Sequence, residues 1–237
     1  YLEVRPRRGY RVSARPVSAP ATGTLAYVMD QRNVMYAGGN ALYLRLLEEL
    51  EAGVGRAGTR LAKLIMAPGQ EEMVIDQLTA SKLEGLILDG TNDRLLDWAA
   101  HTRLPVLVVD DWRPDLRFDS VVQDGFDGGH LAARHLLDQG CERIAWLGYL
   151  DHLHGQARYG GAASALAAAG RRFSHEENTD FTLKTLPETA ARLLAGPSRP
   201  DGIIAFWRPT YAPLLQAARA ASLELGRNLK LVGWCPQ

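Results

Sequence analysis

The chain has 237 residues, 46% apolar and 23% charged, and its 27 basic and 27 acidic side chains leave no net charge at neutral pH. That length accommodates two lobes of roughly 100 residues, each closing its own core, and the composition is that of a globular protein rather than a fibrous or disordered one. No apolar run approaches the roughly 20 residues of a membrane span, and the first residues lack the hydrophobic stretch and cleavage site of a secretion signal.

The N-terminal YLEVRPRRGYRV carries Arg5, Arg7, Arg8 and Arg11, followed by Arg15, against the single acid Glu3. Charge concentrated at one end fits an appendage that meets a polyanion, or a solvated tail. Residues 13–23, SARPVSAPATG, have the Pro, Ala and Ser content of a linker and no apolar period. From Thr24, short β-rich runs alternate with helical stretches: TLAYVM, a helix over Ala37–Gly55, RLAKLIM, a helix over Glu71–Ser81, GLILD, a helix over Asp93–Thr102, and PVLVVD. After the loop DDWRPDLRFD come SVVQ, a helix over Phe126–Gln139 and RIAWLG. Then follow helices over Gln156–Ala169 and Pro187–Leu194, GIIAF, a helix over Tyr211–Ser222, and LKLVGW. This alternation predicts βαβ units and parallel sheets. The expected fold class is α/β, with two doubly wound lobes over residues 24–120 and 121–237.

Right-handed crossovers place ligands at the carboxyl ends of strands, and a cleft between two such lobes is the expected site. The ends of the apolar runs bring there Asp30, Gln31, Asp89, Asp110, Trp112 and Arg113, then Asp124, Asp127, Tyr149, Arg158, Trp207, Arg208 and Trp234. Carboxylates and guanidinium groups hydrogen-bond hydroxyls in pairs, and aromatic faces cover the apolar side of a sugar ring. Solvated loop polars and core tryptophans are the plainer reading of any one of them.

Other chemistries find little support. His152 and His154 fall in a loop while His130 and His135 sit five apart on a helix, on different faces, so no metal is expected. No GxSxG elbow is present, and the glycines of DGFDGGH and AGGN match no phosphate-binding spacing. Cys141 and Cys235 form no metal or CxxC spacing, which suits a reducing cytoplasm. No cofactor is implied.

The stretch SVVQDGFDGGHLAARHLLDQGCERIAWLGY, with ARYGGAASALAAAG after it, resembles the effector-binding core of the lactose/galactose repressor family, a periplasmic-binding-protein-like fold of type I. KLEGLILDG, LPVLVVD and PDGIIAF fall at corresponding positions, so the resemblance runs from about Thr24 to Trp234. Residues 1–12 resemble the last strand pair of a GntR-type winged helix, a basic hairpin with Gly9 at its tip. Together these are similar to regulators of the arabinose-repressor type.

The resemblance implies a cytoplasmic regulator, a repressor rather than an enzyme, which binds a small-molecule effector and touches operator DNA phosphates through Arg5, Arg7, Arg8 and Arg11. It implies a homodimer through the helices near Tyr36–Leu50 and Glu71–Leu83, and a second lobe truncated at Gln237. It gives Arg158, in the family's Arg-x-x-Gly position, a grip on effector hydroxyls, and Asp127 an acidic contact. Two positions depart from the pattern: Arg208 and Pro209 stand where the family has Asn-Asp, and Cys235 where it has Asp. A cation in place of neutral and anionic groups points to an anionic or unusually hydrophobic effector held by Arg158 and Arg208. A sugar receptor of a transporter, sharing the two-lobed fold, is the alternative, and an enzyme on a similar fold the third.

Overall fold

Strands whose residues are buried on both faces set the centre of each sheet. The computed structural model describes residues 2–5, 9–12, 23–31, 41–90, 92–111, 118–151, 153–179, 184–206 and 208–234. For residues 2–5, 9–12, 41–44 and Arg208 it describes the backbone path alone. The chain divides into two compact units, Tyr1–Val121 and Val122–Gln237.

The first unit opens with a hairpin, β1 (Leu2–Arg5) paired antiparallel with β2 (Gly9–Val12). Gly9 pairs with Arg5 and so begins the second strand; residues 6–8 lie outside the described residues. Arg5 and Arg11 lie on the two strands. Arg7 and Arg8 are among the residues not described.

A five-stranded parallel sheet follows, ordered β4-β3-β5-β6-β7. Its strands are β3 (Thr24–Asp30), β4 (Arg60–Met66), β5 (Gly85–Asp89), β6 (Val106–Val109) and β7 (Asp119–Val121). Helices α1 (Ala41–Arg56), α2 (Glu71–Ala80) and α3 (Asp93–Ala100) connect them. β5, GLILD, is buried at every residue, as a central parallel strand covered on both faces must be. Leu86 and Leu88 pack with Val74, Leu78 and Leu95 on the α2–α3 face, while Ile87 joins Tyr27, Met29 and Val109 on the other, against Leu46, Leu47 and Leu50 of α1. The chain leaves β3 for β4 on one side and returns to β5 on the other, so the order reverses between β3 and β5.

The second unit repeats this logic in a four-stranded parallel sheet ordered β11-β10-β8-β9. Its elements are α4 (Gly125–Asp138), β8 (Ile144–Gly148), α5 (Leu153–Ala168), β9 (His175–Asn178), α6 (Leu186–Leu193), β10 (Gly202–Ala205), α7 (Tyr211–Ala220) and β11 (Lys230–Gly233). The order reverses between β8 and β10. One apolar layer, around Trp146, Leu136, Leu166 and Phe173, lies under α4 and α5; the other, around Leu147, Ile203, Leu193 and Leu214, lies under α6 and α7. α5 starts three residues before the expected Gln156. β9 has no counterpart among the predicted strands: its sequence, HEEN, is polar because it is an edge strand with alternate residues exposed.

The glycines of the DGFDGGH and ARYGG segments explain how α4 and α5 meet. A Cβ on Gly129 would run into the Arg158 carbonyl, and one on Gly161 into that of Phe126. Gly125 faces Ala157 and the Arg158 stem with more room, an added Cβ lying 3.2 Å from the Ala157 Cβ and 3.4 Å from the Arg158 Cγ. The motif is a set of missing side chains that lets two helix backbones touch.

Candidate functional site

In the second lobe that close approach carries Arg158 to the reversal point of the sheet. Arg158 is 6% exposed on α5. Its guanidinium donates to the Phe206 carbonyl at the carboxyl end of β10 (3.0 Å) and to Gln123 Oε1 just before α4 (3.2 Å). The Trp234 ring lies 4.5 Å from the guanidinium carbon and the Phe206 ring 5.0 Å, and each such cation–π contact is worth about 1 kcal/mol. The Tyr211 hydroxyl in turn donates to the Trp234 carbonyl (2.8 Å), fixing the backbone that presents the indole. A guanidinium has five N–H donors. Held by these contacts, Arg158 is a rigid, pre-oriented cation, the geometry suited to a hydroxyl pair or an oxyanion.

Other predicted residues of this lobe take different places. Asp127 sits exposed in the first turn of α4, and its backbone N–H donates to Asp124 Oδ1 (2.9 Å), so Asp124 is the helix N-cap. Tyr149 follows β8 and is half-buried. Arg208 opens a single 3-10 turn, Arg208–Thr210, just past β10. Trp207 and Cys235 lie outside the described residues.

In the first lobe the reversal point is acidic. Asp30, 2% exposed, ends β3, and Gln31 follows it half-buried. Asp110, just beyond β6, adopts φ 53°, an uncommon left-handed backbone, and donates its N–H to the Val121 carbonyl (2.8 Å). Asp89 ends β5 with no exposure at all. Its Oδ2 accepts the Tyr27 hydroxyl, and burial, reinforced by the Asp110 charge, pushes its pKa up from 3.8 to about 6. Nearby, Glu71 Oε1 accepts from Asn92 Nδ2 (2.6 Å), and Asn92 Oδ1 caps α3 through the Leu95 N–H (3.1 Å). Trp112 and Arg113 lie outside the described residues. No group of three His, Cys, Asp or Glu able to hold a metal occurs among the described residues, and no helix there is long and apolar enough to cross a membrane.

Gln123, Phe206 and Tyr211, which hold Arg158 and Trp234, went unread in the sequence, as did Tyr27. Phe206 and Gln123 act through a carbonyl and an amide for which no motif exists. Tyr27 reads as an ordinary strand aromatic until its hydroxyl is found on Asp89.

Two successive parallel sheets, each reversing beside a polar cluster at its strand ends, define a periplasmic-binding-protein-like α/β protein. The chain belongs to the family of periplasmic binding proteins and sugar binding domain of LacI family, matching it over residues 37–205. It is 27% identical over 167 residues to the HTH-type transcriptional repressor PurR of Glaesserella parasuis serovar 5, covering 68% of this chain and 48% of that one. It is 26% identical over 204 residues to the ribose operon repressor of Escherichia coli K12, covering 82% and 62%. The chain thus spans about half to three-fifths of the length of these curated relatives. A regulatory protein of LacI family from Chloroflexus aggregans superposes with a TM-score of 0.76 at 19% identity, over 89% of this chain and 77% of that one, a likeness of fold. The match begins at residue 37 and leaves the GntR-type reading of the hairpin to its residues alone.

Proposed function

We propose that this chain is the effector-sensing part of a cytoplasmic DNA-binding transcriptional repressor, without enzymatic activity, that responds to a sugar-like small molecule. The observation that carries this is the caged guanidinium of Arg158, held at the reversal point of the second sheet by Gln123, the Phe206 carbonyl and the Trp234 ring. Its relatives named repressors support the regulatory role. Arg208, at the same strand end, supplies a second cation, and the pair favours an effector with an oxyanion. Asp30, Gln31, Asp110, Arg113, Asp127, Trp207 and Trp234 are the remaining proposed contacts. DNA would be reached through the N-terminal appendage with Arg5, Arg7, Arg8 and Arg11, in a homodimer whose two-fold axis matches a palindromic operator. Residues 1–12 are assigned to the wing, 13–23 to the linker, and the lobes to 24–120 and 121–237.

A ligand that binds the folded state alone raises the melting temperature. Melting this chain with matched neutral sugars, sugar acids and sugar phosphates should show stabilisation by an acid or phosphate, lost in Arg158→Ala. Stabilisation that survives Arg158→Ala unchanged refutes the site. Gel-shift of the full-length protein on its own upstream DNA, with and without the stabilising compound, tests the regulatory role.

A further inference from the structure

On the reading that this chain senses an effector, we infer that the carboxyl end of the first lobe's sheet is a subsite for a protonated amine, with the Asp89 carboxylate as its acceptor. Three adjacent strands, β3, β5 and β6, deliver Asp30, Asp89 and Asp110 there at nearly one level. Met29 pairs with Asp89, and Asp89 with Val109, so Asp30 and Asp110 each stand one residue beyond Asp89's row. Asp89 distinguishes this end from an ordinary acidic surface. It is fully buried, its Oδ2 takes the Tyr27 hydroxyl, and its Oδ1 has no hydrogen-bond partner.

An unpaired buried acceptor is costly, and a buried carboxylate more so. Alternation along β5 puts Asp89 on the face of Ile87, where the neighbouring side chains are Tyr27 and Met29 of β3, Val109 of β6, and Leu46, Leu47 and Leu50 of α1. Among the described residues the Tyr27 hydroxyl is the group that hydrogen-bonds the Asp89 carboxylate, and a neutral O–H cannot balance a charge. From β6, Asp110 adds a second negative charge. A ligand hydroxyl would fill Oδ1 and leave that charge in place. A primary ammonium supplies the missing N–H and the opposite charge together, with two further donors for neighbouring acceptors. A hard metal ion needs several converging oxygens, and no such group occurs among the described residues. Full burial restricts the subsite to a compact group that takes the place of its present cover.

The test compares methylammonium with tetramethylammonium chloride at matched ionic strength, by thermal melting of wild type and Asp89→Asn at pH 7.5 and pH 5. The proposal expects methylammonium to raise the wild-type melting temperature above the tetramethylammonium value at pH 7.5. The increment should shrink at pH 5, where Asp89 is protonated, and vanish in Asp89→Asn. The same increment in both proteins, or none at either pH in wild type, overturns it. The wild-type pH comparison stands by itself if the variant folds poorly. A sugar acid that stabilises through Arg158 while methylammonium does nothing would sink the amine subsite and leave the effector reading standing.

Discussion

Replacing Asp89 by Asn should stabilise the protein at neutral pH and not at acid pH. The folded-state pKa of Asp89 is raised from 3.8 to about 6, so the folded chain holds this proton more tightly than the unfolded one. Its contribution is fully present below about pH 4, is lost as pH rises through about 6, and leaves a penalty at pH 7.5. At about 1.4 kcal/mol per pKa unit, the rise corresponds to about 3 kcal/mol between those limits. Asparagine keeps the acceptor for Tyr27 and carries no charge, but it buries an amide N–H₂ at the place of Oδ1, a cost of about 1–2 kcal/mol that does not depend on pH. The net gain at pH 7.5 is therefore about 1–2 kcal/mol, a few degrees in melting temperature for a protein of this size. Urea denaturation of both proteins between pH 4 and pH 8 gives the decisive quantity, the difference in their unfolding free energies. It should change by about 3 kcal/mol in favour of Asn as pH rises. A difference that stays constant across the range would refute the reasoning, because it would mean that Asp89 does not titrate there.

Other expectations concern the scaffold of both lobes. Gly129→Ala should destabilise by about 1–3 kcal/mol or more, since the new methyl group meets the Arg158 carbonyl; chemical denaturation reads the loss. Gly53→Ala in α1, whose nearest neighbour is an Arg56 guanidinium nitrogen at 3.8 Å, should instead stabilise by about 0.5–1 kcal/mol. Asp124→Ala removes the N-cap of α4 and should cost about 1 kcal/mol by the same assay. Asp124→Asn should retain most of that stability if capping is the residue's structural role.

Apolar periodicity fixed the strand and helix sequence because it is a local signal: GLILD, RIAWLG and GIIAF are short apolar runs, bounded by turn residues, of the kind a strand covered on both faces uses. The carboxyl ends of the apolar runs marked Asp30, Asp89 and Asp110, whereas Arg158, on α5, was marked by the Arg-x-x-Gly resemblance. The polar strand His175–Asn178 escaped because an edge strand needs no apolar pattern. The DGFDGGH and ARYGG glycines were visible, but their reason was not, since a helix contact is made between residues tens of positions apart.

Tertiary structure alone decided what the polar residues experience. Tyr27 reaches Asp89 across 62 positions, and burial on the α1 face with the Asp110 charge, opposed by that hydrogen bond, turns an ordinary aspartate into one that titrates near 6. Arg158 meets Gln123 35 positions away and Phe206 48 positions away. Composition and spacing carry no record of such distances. The environment of a charged group is set by everything folded around it, whereas the path of the chain is set by which residues leave water.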